Sequence, residues 1–320
     1  MNSLKEIKIS DIKDFRIGSA EDLQAATGCT VILSKKGALT ACDVRGAAPA
    51  SRENALLDPL ASNNAVNAVV LSGGSAFGLA CADGVMRFLE ERNIGFRTSE
   101  GVVPIVCASC IYDLAVGSSS VRPDAAMGYK ACENAQNDMF REGSYGAGCG
   151  ASAGKIMGMD HAMKTGLGFY GVEAGGLYVA AVTAANPLGD IYEYTSGKRL
   201  AGCTDPASGL PVDSEAALVS LLHADSFNKN TTIACIMTNA DLTKADLKKC
   251  AGMAHDGMAR SIRPVHTSFD GDSVYVMSTC TVPADVSTVG TLAAYVLSRS
   301  IERAAVPDGE TFGLLHAQLF

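Results

Sequence analysis

The chain of 320 residues carries 26 Lys and Arg against 34 Asp and Glu, a net charge of −8, and is 48% hydrophobic but only 19% charged. That length suits one large or two medium domains with an easily filled core, and the lack of any Lys/Arg run argues against nucleic acid as a partner. The polar opening MNSLKEIKISDIKDF is no secretory signal and apolar runs such as Ala65–Ser72 are too short for a bilayer, so a cytoplasmic protein that meets no membrane is expected.

In chain order, Ile17–Ala26 reads as a loop and Gly28–Leu33 as a strand reaching a turn at Lys35-Lys36-Gly37. Leu39–Val44 reads as the returning strand, which predicts a hairpin. After the turn-rich loop Asp43–Glu53 come a short strand over Asn67–Ser72, a Gly73-Gly74 break and an amphipathic helix over Ser75–Arg92. Its expected buried face is Leu79, Val85, Met86 and Leu89. Pro123–Asn134 and Ala153–Met157 read as helical, and the run from Gly166 to Asp190 as two strands about a Gly-Gly turn. Ser214–Ala224 reads as a short helix before the irregular run His223–Lys229. NTTIACIMTN (230–239) is a strand that opens on two hydroxyl residues.

Thr243 and Asp246 then form a capping pair for a helix with Leu247, Cys250 or Ala251, Ala254, Met258 and Ile262 on its inner face. Val265–Phe269 and Val274–Thr279 flank Asp270-Gly271-Asp272, which predicts a second hairpin, and Ala284–Ala304 reads as the last helix. No repeat, low-complexity tract or linker divides the chain, so one α/β domain is expected.

Several motifs invite chemistry and fail. GCGASAGK (148–155) has five residues between its glycines where a phosphate loop has four, and Lys155 is followed by Ile156 instead of a hydroxyl residue. SGGSAFG (72–78) misses the serine elbow G-x-S-x-G by one place, although its backbone N–H groups at a helix start suit an anion. The five histidines include no H-x-x-x-H pair and read as surface or packed residues. The eleven cysteines are odd in number and scattered through apolar segments, as expected of reduced core thiols. Cys107-Ala-Ser-Cys110 is the one CxxC, and no second pair completes a zinc site.

Taken together, GGSAFGL (73–79), DLAVGSSSVRPD (113–124), GAGCGASAGK (146–155), MKTGLG (163–168), NPLGD (186–190), NTTIACIMTNADLTK (230–244) and AHDGMARSIRPVHTSFDGD (254–272) resemble one family in its own order. It is the L-aminopeptidase/D-amidase group of self-processing amidohydrolases, with the β-aminopeptidases and nylon-oligomer hydrolases. The resemblance implies an αββα sandwich, a homotetramer, and one self-made cut at Asn230–Thr231 that frees Thr231 as nucleophile. It carries over Asn186 as an oxyanion donor, Asp270 and Asp272 as the acidic pair beside the nucleophile, Lys164 as a nearby lysine, and, on a weaker local pattern, Tyr112.

The chemistry is self-consistent. A Thr hydroxyl needs a base, and an N-terminal α-amine, with an ordinary pKa of about 7.7–8.0, can supply it without a catalytic His, a metal or a cofactor. The expected substrate is a small peptide or amide. An acyltransferase like the ornithine acetyltransferases, or a binding protein that never cuts itself, are the alternatives.

Overall fold

The computed structural model describes residues 4–221 and 230–316. Its principal strands are β1 (Arg16–Asp22), β2 (Thr27–Val44), β3 (Val66–Ser72), β4 (Val106–Cys110), β5 (Leu167–Ala174), β6 (Leu177–Asn186), β7 (Thr231–Asp241) and β8 (Ser273–Pro283). The main helices are α1 (Cys81–Glu90), α2 (Ala125–Gln136), α3 (Lys244–Ser261) and α4 (Val286–Ala305). One sheet runs, edge to edge, through the short strand Lys5–Ile7, β5, β6, β7, β8 and the second half of β2. The other runs through β1, the first half of β2, β3, β4 and the short strand Ser51–Arg52. Pairing is antiparallel except for β7 with β8 and β3 with β4.

Burial of both faces explains why β7 is continuously apolar from Ile233 to Met237. Ile233, Cys235 and Met237 point one way and pack with Ile32, Val69, Leu71, Phe169, Val182 and Tyr275 between the two sheets. Ala234 and Ile236 point the other way and pack with Leu247, Ala254, Met258, Val296, Leu297 and Ile301 of α3 and α4. On the far side of the second sheet, Val31, Val70 and Ala108 meet Val85, Phe88 and Leu89 of α1 and Ala131 and Ala135 of α2. Three apolar layers therefore separate four structural layers, and the fold is the expected αββα sandwich.

Caps and turns follow the sequence signals. Thr243 and Asp246 form a reciprocal capping box at α3, and Asp285 accepts from Ser287 and Thr288 N–H at the start of α4. Gly175 and Gly176 both take positive φ, 60° and 86°, in the β5–β6 hairpin. The helix expected over Ser75–Arg92 begins as a 3₁₀ turn, Ser75–Ala80, before α1; Val85 and Leu89 are buried and Leu79 and Met86 only half-buried. Lys155–Met157 is likewise a 3₁₀ turn, following the two-residue strand Ser152–Ala153. The expected helix Ser214–Ala224 is seen as Ser214–Ser220, and its last residues and the run His223–Lys229 lie outside the described residues.

Two expected hairpins are corrected. The Lys35–Gly37 segment does not reverse the chain: β2 stays extended and bends from one sheet into the other, so its halves have different partners. The hairpin partner of its first half is β1, in the segment read as a loop. The reversal there is made by Asp22 accepting from Gln24 and Ala25 N–H at 2.9 Å and by Ala26 at φ 56°. Residues 265–269 form no strand, and Asp270 instead pairs in parallel with Asn230. All eleven cysteines are unpaired and ten are buried, and among the described residues no helix is long and apolar enough to cross a membrane.

Candidate active site

Thr231 is the first residue of β7, 4% exposed, and strand alternation puts its side chain between the two sheets while Thr232 faces the helical layer. Its hydroxyl donates to the carbonyl of Asn230. The Gly271 N–H lies 3.2 Å from Thr231 Oγ1 and 3.2 Å from the Asn230 carbonyl oxygen. A hydroxyl, the carbonyl of the preceding peptide and a donor aimed at both thus meet at one point. On the other flank, Asn186 ends β6 directly across the ladder from Thr231.

The Asn186 amide is oriented by its neighbours. Its Oδ1 accepts from Ser152 N–H (3.0 Å), which can only donate, and from Lys155 Nζ (2.7 Å), so Nδ2 faces the Tyr112 carbonyl at 3.0 Å. Tyr112 thus enters the site through its backbone. Lys155 also donates to the carbonyls of Ser152 (2.7 Å) and Asn186 (3.0 Å). Burial pushes its ammonium down to about 7, against the pull of Asp270 and Asp113. Its loop is pinned to NPLGD by Gly154 N–H on Gly189 and Lys155 N–H on Leu188, both at 3.0 Å. Gly154 has φ 72°, and a Cβ there would meet Cys203 N at 1.8 Å, so no other residue fits.

Asp270 and Asp272 are each 1% exposed and flank Gly271. Asp270 Oδ2 accepts from the N–H and hydroxyl of Thr267, and its carboxyl is pushed up to about 6 by burial first and by Asp272 second. Asp272 Oδ1 accepts from Thr232 N–H at 2.7 Å, and Oδ2 from the backbone N–H (3.2 Å) and Nδ1 (2.7 Å) of His266.

Thr231, Asn230, Asn186, Asp270 and Asp272 are therefore brought together, whereas Lys164 stands apart. Its Nζ donates to the carbonyls of Gly148 (3.1 Å), Ala151 (3.2 Å) and Thr165, and hydrogen-bonds none of those residues. Burial pushes it, too, down to about 7. The lysine that touches the site is Lys155, which the sequence showed as the end of a failed phosphate loop and of the GAGCGASAGK block, with no role of its own. The signal was there: a lone lysine inside a run of Gly, Ala and Cys has little surface to stand on. At the SGGSAFG loop the N–H groups are taken, Gly74 by Asp113 Oδ1 (2.7 Å) and Ser75 by the Ile111 carbonyl (2.9 Å). Asp113 also accepts from the Thr27 hydroxyl at 2.7 Å, and burial raises its carboxyl.

The model of peptidase family S58 matches residues 8–311. The chain belongs to peptidase family S58. Among its S58 relatives it is 40% identical over 300 residues to an uncharacterized aminopeptidase of Mycobacterium leprae, covering 86% of this chain and 79% of that protein. It is 35% identical over 274 residues to a 6-aminohexanoate-oligomer endohydrolase of a Kocuria species, covering 84% and 74%. The structure superposes on the L-aminopeptidase D-Ala-esterase/amidase of Ochrobactrum anthropi, described as a new variant among the Ntn hydrolase fold, with TM-score 0.70 at 16% identity over 97% of this chain and 90% of that one. It superposes on a Burkholderia β-aminopeptidase with TM-score 0.67 at 19% identity, over 98% and 90%. The fold is thus that of the Ntn hydrolases, and the family one of aminopeptidases and amidohydrolases.

Proposed function

We propose that this protein cuts itself once, between Asn230 and Thr231, and then hydrolyses small peptides or amides through the freed Thr231. The observation that carries the reading is the Thr231 hydroxyl resting on the Asn230 carbonyl, with Gly271 N–H 3.2 Å from both oxygens. In the cut, Oγ1 attacks the Asn230 carbonyl carbon. Negative charge develops on the carbonyl oxygen, where Gly271 N–H donates, and such a donor counts for most in the transition state. The C–N bond breaks, the hydroxyl proton ends on the departing nitrogen, and water hydrolyses the ester to leave the Asn230 carboxylate and a free Thr231.

The same oxygen then serves substrates. The new α-amine takes the hydroxyl proton as Thr231 attacks an amide carbonyl, and the acidic pair orients that amine. Asn186 Nδ2 supplies an oxyanion donor, held in place by Lys155. Lys155 is the lysine hydrogen-bonded to Asn186, whereas Lys164, which the family resemblance gave as a lysine near the nucleophile, holds the glycine-rich loop. Water resolves the acyl-enzyme. A denaturing gel with N-terminal sequencing tests the reading: purified protein gives pieces 1–230 and 231–320, and Thr231→Ala gives one band. A small piece beginning at any other residue defeats it.

A further inference from the structure

His266 lies six residues before Asp272, and its backbone, at φ 56°, folds back so that N–H and Nδ1 both reach one oxygen of that carboxylate. The other oxygen holds Thr232 N–H. One carboxylate thus bridges an imidazole and the peptide immediately after Thr231. If Asp272 turns, that peptide loses its anchor and the hydroxyl before it moves.

The imidazole is itself fixed. Its ring stands edge-on to that of His255, with centroids 4.7 Å apart and planes at 75°. His255 is fully buried on α3, and its Nε2 lies 3.1 Å from the Asp43 carbonyl near the end of β2. Burial, more than any neighbour, pushes His255 down to about 4, so it stands beside His266 as a neutral ring and does not repel it. Besides Asp272 and His255, the charged groups behind this pair are Asp43 and Arg45, which pair with one another at 3.2 Å.

We propose that His266 is a positioning residue for amide cleavage: by donating to Asp272 it locks the carboxylate that anchors Thr232 and thereby sets the Thr231 hydroxyl. The proposal rests on Thr231 as the nucleophile. A hydrogen bond to a charged group of this kind corresponds to about 10–100-fold in rate when it is lost. Asn is the informative replacement, because it tolerates positive φ and carries an N–H donor at nearly the reach of Nδ1.

The test uses full-length protein with the p-nitroanilides of L-alanine and β-alanine and a linear 6-aminohexanoate oligomer as probes, alongside the rate of self-cleavage. His266→Ala is expected to lower kcat and the self-cleavage rate about 10–100-fold with KM changed less than about 3-fold, and His266→Asn to recover most of the loss. Should the alanine variant not fold, His266→Gln, whose longer arm carries its amide past Asp272, replaces it, and kcat below that of His266→Asn is the supporting result. Equal losses in the Asn and Ala (or Gln) variants, or no loss in either, overturn the proposal. If wild-type protein is never cut at Thr231, the underlying reading falls instead, whatever the His266 variants do.

Discussion

Gly271→Ala isolates the geometry of the proposed cut. Gly271 does not have positive φ, so its backbone accepts an L-residue, and the variant keeps the N–H; only space is at issue. A Cβ there would lie 2.8 Å from the Ala48 carbonyl oxygen, 2.9 Å from Thr231 Oγ1 and 3.0 Å from Pro49 Cα. Ala48 cannot easily retreat, because its N–H is bonded to the Asp270 carbonyl at 2.9 Å. The hydroxyl must give way by a few tenths of an ångström, which disturbs its place on the Asn230 carbonyl. Overpacking of this size costs about 1–3 kcal/mol, which, borne by the reactive arrangement, is about 5- to 150-fold in rate. The assay is the time course of band conversion on a denaturing gel, on protein whose circular dichroism matches that of wild type. Conversion at the wild-type rate would mean that Thr231 Oγ1 does not react from the position seen beside Gly271, and the argument from this contact would be refuted.

Asn186→Ala strips Lys155 and Ser152 N–H of a shared acceptor and removes a donor opposite Thr231; kcat for amide hydrolysis should fall about 10²–10³-fold. An unchanged kcat with raised KM would make Asn186 a binding residue instead. Lys155 and Lys164, both held near 7 by burial, are deprotonated in the folded protein at pH values where the unfolded chain still protonates them. At each of these lysines the unfolded state therefore binds more protons, which contributes a rise in the stability of uncut Thr231→Ala protein of up to about 1.4 kcal/mol per pH unit. Unfolded cysteines, with an ordinary pKa of about 8.5, begin to ionise over the same range and oppose this rise, so the test is a difference. Between about pH 7 and 8 the urea midpoint of Thr231→Ala protein minus that of its Lys155→Met derivative should increase with pH, and a flat difference would refute it. The low charge content and the family resemblance together lead us to expect a homotetramer, formed already by Thr231→Ala protein, and a monomeric mass for both forms by light scattering would rule it out.

Most elements of the fold were legible because they rest on local signals: the capping pair Thr243 and Asp246, the Gly-Gly turn, and the length and apolarity of each element; their stacking into four layers came from the family resemblance. What misled were segments whose conformation is set from a distance. Lys35-Lys36-Gly37 has turn composition, yet the two sheets claim the residues on either side and the chain bends there without reversing. Asp270-Gly271-Asp272 has the composition of a solvated hairpin tip, but its neighbours are Asn230 and Thr231, forty residues earlier, and pairing at that separation leaves no periodic trace in sequence. The Asn186–Lys155 contact was hidden for the same reason, since Lys155 gains its meaning only when NPLGD folds against the glycine-rich loop. His266 was passed over because no second histidine stood at helical spacing, whereas its partner His255 is brought up by the end of α3.

The place of β7 and β8 in the sheet gives the proposed cut an arrow in time. Both strands belong to the smaller piece, yet they lie between β6 and the second half of β2, which belong to the larger one. While folded, the pieces are interleaved and the cut changes almost nothing in the architecture. Once melted, the same strands would have to find their slot as a separate molecule, and an association kept intramolecular by the Asn230–Thr231 bond would become bimolecular. The precursor alone holds the instructions for assembly. On the proposed cut, the finished protein would survive for as long as its barrier to unfolding stands, and its durability would be a lifetime instead of an equilibrium.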